Sequence, residues 1–544
     1  MTANITRHNT AFATAPQIDP SDASAIAAQG FKAVINNRPD GEGGADQPTS
    51  DEIRAAVEAA GMVYAYHPVV SGQLTAVDAV RMSELLASLP QPVLAFCRTG
   101  ARSTKLHGMA TQGEASFGQA TATINPDLLG ASACNWSADQ RDIVIVGGGS
   151  AGIGLAASLL KRQHNLRITI VEPSDTHYYQ PAWTLVGGGA FDVRNSYRPM
   201  ASVIPDGAEW IQAAAAGFDP DGKKVLLDNG KSLDYQYLVV ATGIKIRPDL
   251  IPGLAETIGK NGVTSNYSVK TAPYTWELVQ ALKSGRAIFT QPPVPLKCPG
   301  APQKAMYLSC YEWAQQGVLK NIEVEFYNAG GVLFGVPDFV PPLMNYVKKY
   351  GAKLHFNANL VAVDGPAKKA WFDVKDAEGN VTRIERDFDM LHVTPPQAPH
   401  DCVRNSPLAA ADGMVEIDQF TMQHVRYPNV FSLGDACSSP NSKTAAAARK
   451  QIVVVAENLM ALRMGEAFKL RYDGYGSCPL TVERGKIVLA EFGFGGKLLP
   501  TFSWLINPIK ASRLAWILKK DVLPWLYWNA MLKGREWLAR PFEN

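Results

Sequence analysis

The dominant structural signal in this chain is the stretch Asp142-Ile-Val-Ile-Val146, Gly147-Gly-Gly149-Ser-Ala-Gly152. A buried strand runs into a turn with three spaced glycines, and a second strand, residues 166–171, ends on Glu172. The glycines permit a tight turn and let the backbone approach a pyrophosphate, which binds at the N-terminus of the next helix. Glu172 stands at the position where an acidic residue binds the hydroxyls of a ribose in such domains. The pattern predicts a Rossmann-like dinucleotide-binding domain that begins near residue 141.

Length and composition limit the classes of protein to consider. A chain of 544 residues is long enough for about three or four domains. The formal net charge of +2 gives no reason to expect nucleic acid as a partner. Seven cysteines without a CxxC pair argue against a disulfide scaffold and a metal site, and for a reducing compartment. The first residues lack the apolar core of a signal peptide, and no apolar run is long enough to span a membrane.

The predicted fold class is α/β, with a small N-terminal α/β domain before two Rossmann-like domains. The N-terminal domain has alternating strand and helix patterns, and a Gly-, Ala- and Thr-rich stretch follows it. The predicted boundaries are 1–110 for the N-terminal domain, 111–140 for a linker, 141–264 for the first part of the dinucleotide domain, 265–400 for the second Rossmann-like domain, 401–490 for the return to the first, and 491–544 for an amphipathic C-terminal region.

The predicted dinucleotide is FAD. A strand ending in Ala241-Thr242-Gly243 and a late Gly434-Asp435 follow the glycine turn, in the order of flavoproteins with two dinucleotide-binding domains. In such proteins the late Asp reaches the ribityl chain or phosphate, and the next helix directs its N-terminal amides at the flavin pyrimidine. The predicted cofactor-binding residues are Gly147, Gly149, Ser150, Ala151, Gly152, Glu172, Gly243, Asp435 and Lys443.

A second dinucleotide site is not evident in the middle domain. The strand at 287–290 is followed by Gln291-Pro-Pro-Val-Pro295, whose prolines lack amide donors and exclude the glycine turn. Cys298 follows, where a nicotinamide site would be expected. This favours an electron donor other than NAD(P)H.

Four separated segments carry a resemblance to a known family. They are Pro295-Leu-Lys-Cys298-Pro-Gly-Ala-Pro-Gln-Lys304, Met390-Leu-His-Val-Thr-Pro-Pro396, Gly434-Asp-Ala-Cys437-Ser-Ser-Pro-Asn-Ser-Lys443-Thr-Ala-Ala-Ala447 and Tyr472-Asp-Gly-Tyr-Gly-Ser-Cys-Pro479. From residue 141 onward the chain resembles the mitochondrial-type sulfide:quinone oxidoreductases. The resemblance implies oxidation of hydrogen sulfide by FAD and a redox cysteine pair. Electrons would pass to ubiquinone or another membrane quinone, and sulfane sulfur to an acceptor such as glutathione or sulfite.

The resemblance also implies roles for individual residues. Cys298 and Cys437 would form the redox pair, with Cys478 as the fallback partner, although Ala436 separates Asp435 from Cys437 where the animal relatives have cysteine directly after Asp. Nearby lysines and a helix N-terminus would lower the pKa of Cys298, and Cys437 would carry the persulfide formed when sulfide attacks the disulfide. Gln180 and the backbone of Ala215 would contact the adenosine half of FAD.

The C-terminal region from 501 to 532 interleaves tryptophans with lysines and arginine. This pattern is typical of a helix lying in a membrane interface, and the alternative is a core helix with a cationic rim. Because a quinone dissolves only in the bilayer, we expect a peripheral protein on the cytoplasmic face of a membrane.

The N-terminal domain carries its own reactive pattern, Cys97-Arg-Thr-Gly-Ala-Arg102-Ser103, after a buried strand. Such a loop directs amides at a thiolate and adds a guanidinium for an oxyanion. Four residues separate Cys97 from Arg102, as in many rhodanese-like sulfurtransferases, whereas tyrosine and dual-specificity phosphatases have five. The stretches 34–40 and 67–71 resemble the phosphatase-fold family, which implies a phosphatase-like α/β domain. The stretch after His67-Pro68 has no carboxylate to act as a phosphatase general acid. We predict a persulfide-handling domain; a phosphatase and a degenerate regulatory module are the alternatives.

Two further hypotheses concern the whole chain. One is an NADH:quinone oxidoreductase, which the proline-rich loop disfavours. The other is a flavin-bound membrane adaptor with an N-terminal phosphatase domain, which has no reason to retain Cys298, Cys437 and Lys443 together.

Overall fold

The computed structural model describes residues 5–117 and 141–541, apart from residues 45, 70–73 and 75. The chain divides into two compact units, Met1–Cys134 and Asn135–Asn544. Most of the predicted linker, residues 118–140, lies outside the described residues.

The N-terminal unit is built on a five-stranded sheet of order β1-β2-β5-β3-β4. Its inner strands pair in parallel and are buried over their whole length, which explains their continuous apolar sequences. Its strands are β1 Thr6–Arg7, β2 Phe12–Ala15, β3 Ala33–Asn36, β4 Val63–Tyr66 and β5 Val93–Phe96, and its helices are α1 Ala23–Ala28, α2 Ser50–Ala59, α3 Ala76–Ser88 and α4 Ala101–Phe117.

The end of this unit differs from the prediction. Helix α4 continues to Phe117, beyond residue 110, where the sequence indicates the start of a linker. Ala110, Gln112 and Glu114 are good helix formers, so the helix propagates past the last periodic apolar residue.

The first Rossmann-like sheet of the second unit has the order β10-β7-β6-β13-β12-β11, and β24 pairs in parallel with the C-terminal end of β13. Val430 of β24 lies beside Leu238 of β13, so the late part of the chain returns to the first sheet, as predicted. Its strands are β6 Arg141–Val146, β7 Ile168–Val171, β10 Ala208–Ile211, β11 Ala215–Asp219, β12 Lys224–Leu227, β13 Ser232–Val240 and β24 Val430–Ser432; helices α5 Ser150–Arg162 and α12 Ala445–Met464 pack with it.

The second Rossmann-like sheet has the order β15-β22-β16-β17-β18, all parallel. Its strands are β15 Val263–Thr264, β16 Gly285–Gln291, β17 Ile322–Asn328, β18 Lys353–Phe356 and β22 Met390–His392. An antiparallel sheet of β19 Ala358–Asp364, β20 Lys369–Lys375 and β21 Val381–Asp387 lies next in the chain. The predicted α/β class with two Rossmann-like domains is confirmed.

The remaining elements shape the site and the C-terminal region. The hairpin of β25 Gly476–Glu483 and β26 Lys486–Phe492 packs in one core with helix α9, Ala301–Gln315. After it come α13 Arg513–Ile517, a π-helical turn over Leu518–Val522, and α14 Leu523–Asn529. Shorter elements are β8 Thr176–Tyr178, β9 Tyr197–Pro199, β14 Lys245–Ile246, β23 Gln397–Ala398, α6 Trp183–Gly187, α7 Leu254–Thr257, α8 Ala272–Ala281, α10 Val340–Tyr350 and α11 Asp401–Arg404.

Candidate active site

The dinucleotide-binding loop joins β6 to α5. Gly147 has a φ of +114°, and a Cβ there would lie 2.3 Å from the carbonyl oxygen of Ala241. A Cβ on Gly152 would lie 1.9 Å from the carbonyl oxygen of Gly147. A side chain at either position would displace backbone, so the close approach of the loop to its neighbours requires glycine.

Glu172 lies at the end of β7 and is tied to the loop. Its carboxylate accepts hydrogen bonds from the N–H of Gly148 at 2.8 Å and of Ser174 at 2.9 Å. Glu172 and Gln180 both line one cavity with the glycine loop. Ala215 pairs with Leu227 in the β11–β12 hairpin and is not among the residues that line this cavity. The contact of the Ala215 backbone with the adenosine half of FAD stays a prediction.

The cavity brings the predicted cofactor residues together. The predicted residues that line it are Gly149, Ser150, Ala151, Glu172, Gln180, Gly243, Asp435 and Lys443. Buried side-chain polar atoms of Trp183, Thr184, Thr242 and Asn266 also belong to cavity-lining residues and have no hydrogen-bond partner in the part of the chain that is described. Such unpartnered groups are costly unless a polar ligand satisfies them. The residues fit a dinucleotide such as FAD.

The late loop after β24 supplies charged groups to the same cavity. Gly434 has a φ of +74° and donates its N–H to the side-chain oxygen of Gln451 at 2.8 Å. Burial raises the pKa of the Asp435 carboxyl, against the opposing effect of Lys297 and Lys443. Thr444 caps helix α12 by accepting from the N–H of Ala447, so the helix N-terminus faces the loop that carries Lys443.

Cys298 is held at the start of α9 in a left-handed conformation, with a φ of +49°. Its N–H donates to the carbonyl of Lys443 at 2.7 Å, and Lys304 Nζ lies 3.2 Å from its Sγ. A hydrogen bond with the Cys478 thiol lowers the pKa of Cys298 well below its ordinary value; burial opposes this effect, and Lys304 adds to it. The same pairing and burial raise the pKa of Cys478. The two thiols are therefore neighbours, and the opposite directions of their pKa shifts favour the thiolate on Cys298 rather than on Cys478.

The predicted pairing of Cys298 with Cys437 is corrected by this geometry. Cys437 is fully buried in the core of the first Rossmann-like domain, and its thiol donates to the carbonyl of Gly434 at 3.2 Å. Cys478 lies in the other core, against which Cys298 packs. The fallback partner is therefore the residue that the fold brings to Cys298. The cysteine was visible in the 472–479 segment, but its position depends on the packing of β25 against α9.

Lys519 is a site residue that the sequence analysis misses. It stands in the π-helical turn, is buried, and lines the cavity together with Cys298 and Lys304. Its ammonium donates to the carbonyl of Pro181 at 2.8 Å. Burial lowers the pKa of Lys519 to about 7, Lys304 adds to the decrease, and the cysteine pair opposes it. In the sequence, Lys519 looks like one of the exposed cations of the C-terminal region. A π-helical turn that rotates one lysine inward has no clear sequence signal, so its burial could not be predicted.

Cys97 of the N-terminal unit follows β5 directly and is buried. Burial alone would raise its pKa, but hydrogen bonds from the backbone N–H groups of Ser103, Thr99 and Arg102 contribute to a net decrease. Arg102, predicted to hold an oxyanion, is buried and bonds the Glu42 carboxylate at 2.5 Å. The loop has the features of a stabilised thiolate, with its arginine held by an internal carboxylate.

The C-terminal region exposes large apolar side chains. Trp504 is 81% exposed and Trp525 51% exposed, and Leu505, Ile509, Leu514 and Ile517 are also exposed. None of the described helices is both long and apolar enough to cross a membrane. Within the same residues, no cluster of three or more His, Cys, Asp or Glu side chains could hold a metal ion.

Two family models match different parts of the chain. Residues 5–114 match a family described as beta-lactamase hydrolase-like protein, phosphatase-like domain. Residues 141–278 match the pyridine nucleotide-disulphide oxidoreductases. The two matches agree with the two compact units.

Named relatives match the larger unit over most of their own length. The mitochondrial sulfide:quinone oxidoreductase of Dictyostelium discoideum is 43% identical over 73% of this chain and 87% of the relative. The enzyme of the same name from Mus musculus is 38% identical over 76% of this chain and 91% of the relative. The solved structure of the sulfide:quinone oxidoreductase from Aquifex aeolicus shares the fold, with a TM-score of 0.60 and 20% identity over 73% of this chain and 92% of that chain. This chain belongs to the sulfide:quinone oxidoreductase family.

Proposed function

We propose that this protein oxidises hydrogen sulfide at the Cys298–Cys478 pair and delivers the electrons to a membrane quinone. The observation that carries the proposal is Cys298, which lines the same cavity as the dinucleotide-binding loop, with Lys304 at its sulfur and the Cys478 thiol as its neighbour. FAD supplies a two-electron acceptor between the thiols and the quinone.

The asymmetry of the pair sets the direction of the sulfur chemistry. In the disulfide form, HS⁻ attacks one sulfur, the S–S bond breaks, and the other sulfur leaves as a thiolate. Cys298 is the better leaving group, because the Lys304 ammonium lies 3.2 Å from its sulfur and stabilises the departing thiolate. Sulfide therefore attacks Cys478, which becomes the persulfide, while the electron pair resides on Cys298.

The lysines support anionic sulfur at this site. Lys304 lies against the Cys298 sulfur, and Lys519 is buried in the same cavity. Incoming HS⁻, the Cys298 thiolate and a thiolate or sulfite acceptor are all anions, whose burial without a countercharge is costly. A small anionic nucleophile such as glutathione or sulfite would then remove the sulfane sulfur from Cys478.

Anaerobic reduction of the bound FAD by sulfide tests the proposal. We expect Cys298→Ser and Cys478→Ser to lose bleaching of the flavin by sulfide, and Cys437→Ser, which changes a buried thiol outside the pair, to retain it. Equal FAD content, measured from the absorbance of each purified variant, is the control. Bleaching that requires Cys437 and proceeds without Cys478 would restore the pairing predicted from sequence.

The same assay separates the two alternative functions. NADH should not bleach the flavin, because the loop after β16 contains Pro292, Pro293 and Pro295 instead of a glycine turn. An adaptor that binds flavin without catalysis would bleach with neither reagent.

Peripheral docking through the C-terminal region is part of the proposed function. Exposed Trp504, Ile517 and Trp525 lie near Lys510 and Arg513 in the sequence, a combination suited to a lipid interface. Leu523 and Leu526 of α14 line the FAD cavity, which offers an apolar approach for a quinone from that side. Docking at the cytoplasmic face stays a prediction from sequence, and the relatives described above are mitochondrial by name.

For the N-terminal unit we propose transfer of sulfane sulfur through Cys97. The lowered pKa of Cys97 and the surrounding N–H groups suit a thiolate that accepts and returns sulfur. A phosphatase is the second candidate, favoured by the family description of residues 5–114. The full chain should transfer sulfur from thiosulfate to cyanide. The Cys298→Ser variant should retain a transfer activity that depends on Cys97, and adding Cys97→Ser should abolish that remaining activity. Rapid hydrolysis of aryl phosphates without sulfur transfer would identify a phosphatase.

A further inference from the structure

A hydrogen-bonded chain joins the C-terminal region to the dinucleotide-binding loop. Tyr527 of α14 is buried, and its hydroxyl lies 2.7 Å from Ser150 Oγ and 2.6 Å from His177 Nε2. The other ring nitrogen of His177, Nδ1, lies 2.9 Å from the carbonyl oxygen of Gly148. Gly148 and Ser150 are on either side of Gly149, so both ends of the chain return to the same loop.

The direction of each bond follows from the groups present. A carbonyl oxygen only accepts, so His177 Nδ1 carries the proton that it donates to Gly148. Burial lowers the pKa of His177 to about 4, so the ring is neutral and Nε2 accepts from Tyr527. The single proton of the Tyr527 hydroxyl is then committed, and Ser150 must donate to Tyr527. The chain therefore runs from Ser150 through Tyr527 and His177 to Gly148.

This direction changes the role expected of Ser150. Its hydroxyl proton is used within the protein, so the side chain cannot donate it to a pyrophosphate. What Ser150 offers the cofactor is its backbone N–H in the first turn of α5, where helix N-termini bind phosphate. The position of this N–H therefore depends on Tyr527 and His177, which lie outside the turn and hold it through hydrogen bonds.

We propose that Tyr527 is a positioning residue for the FAD site, which fixes the loop Gly148–Ser150 from the C-terminal region through this hydrogen-bonded chain. The proposal rests on the assignment of the cavity to FAD, and it makes α14 a part of the cofactor site. Packing supports the same connection: Tyr527 packs against Tyr179 with 4.6 Å between ring centroids and the two rings tilted by 44°, and both residues line the cavity. Further along the chain, Glu536 bonds the Ser158 hydroxyl of α5 at 2.6 Å.

The test is the dissociation constant of FAD in full-length Tyr527→Phe, which removes the hydroxyl and keeps the ring. Buried His177 and part-buried Ser150 each lose a bond, so we expect FAD binding to weaken by roughly tenfold. Trp525→Phe, on the same helix but half-exposed, is the matched control and should bind FAD as the unsubstituted protein does. Unchanged affinity in Tyr527→Phe would overturn the proposal.

A second measurement separates positioning from general stability. Ser150→Ala and Tyr527→Phe break the same chain, so the double variant should bind FAD little worse than either single variant. Additive losses would show that the two residues act separately, and would also overturn the proposal. A merely structural role would lower the unfolding midpoint of FAD-free Tyr527→Phe and leave the FAD dissociation constant unchanged. Neither readout involves sulfide, so this result is independent of the proposed sulfide chemistry.

Discussion

At the scale of single residues, Cys298 combines a left-handed backbone with a cation at its sulfur. Only a minority of non-glycine residues adopt positive φ, and they are concentrated at sites where a side chain must point in a set direction. Its backbone is fixed by the bond from its N–H to the Lys443 carbonyl, and Tyr267 donates to its carbonyl at 3.3 Å. The thiol is therefore fixed in position as well as acidified.

The first prediction concerns Lys304. Lys304→Met keeps the length of the buried side chain and removes its charge, so the pKa of Cys298 should rise. Because the thiolate exists above that pKa, alkylation of Cys298 by iodoacetamide at neutral pH should slow, by several-fold, and its pH profile should shift upward. Peptide mass spectrometry of the reduced protein measures the rate. Lys320→Met is the control, and an unshifted profile would mean that Cys478 alone acidifies Cys298.

The second prediction concerns Lys519, whose pKa is lowered by burial to about 7. Between pH 7 and the ordinary lysine pKa of about 10.4, the unfolded chain holds a proton that the folded protein has released. Lys519 therefore makes the free energy of unfolding increase with pH over this window, by at most about 1.4 kcal/mol per pH unit. Urea unfolding of Lys519→Met at pH 7, 8 and 9 should lack this increase. Parallel pH profiles of the two proteins would show that Lys519 stays charged when folded.

At the scale of elements, the C-terminal region has one surface exposed to solvent and another buried in the protein core. One surface carries exposed Trp504 and Trp525, and the other places Tyr527, Met531 and Leu532 in the core of the first Rossmann-like domain. The interleaved tryptophans and cations made the exposed surface predictable. The bond from Tyr527 to Ser150 was not predictable, because it joins residues 377 positions apart and depends on the completed fold.

The third prediction separates these surfaces. Trp504→Ala combined with Trp525→Ala should reduce co-sedimentation with anionic liposomes several-fold and leave FAD content unchanged, because only exposed apolar area is lost. Leu250→Ala, another exposed apolar residue of the same unit, is the control. Deletion of residues 501–544 should instead release FAD as well, since it removes core residues. Full liposome binding by the double variant would place the docking surface elsewhere.

The active-site elements show where sequence information ends. Gly147, Gly152 and Glu172 were predictable because their roles depend on a local strand–turn–helix unit. The choice of Cys478 over Cys437 depends on how β25 packs against the start of α9. A Cβ on Gly300 would lie 2.4 Å from a Leu480 methyl and 3.6 Å from the Cys478 Cβ, a proximity that no sequence spacing reveals.

At the scale of the whole molecule, the chain combines a unit that generates a persulfide with a unit that carries a stabilised thiolate. Each has its own buried core: apolar residues such as Val34 and Leu94 form one, and residues such as Ile145 and Val239 form another. The proposed activities are complementary, because Cys478 persulfide and Cys97 thiolate can exchange sulfur. The S–S bond on Cys478 breaks, a new one forms on Cys97, and the Cys478 thiolate leaves, with no net oxidation.

The fourth prediction tests this exchange in the full-length protein. After incubation with radiolabelled sulfide, a quinone and glutathione, label should appear on the Cys97 peptide, and Cys97→Ser should lower labelled glutathione persulfide without affecting flavin bleaching. Mixing Cys97→Ser with Cys298→Ser then shows the route. Cys298→Ser cannot make its own persulfide, so label on Cys97 of this variant must come from the other chain. If this Cys97 stays unlabelled while Cys97 of the unsubstituted protein is labelled, sulfur is transferred within one chain. If Cys97 of the unsubstituted protein stays unlabelled while glutathione is labelled normally, Cys478 delivers sulfur directly and the N-terminal unit has another role.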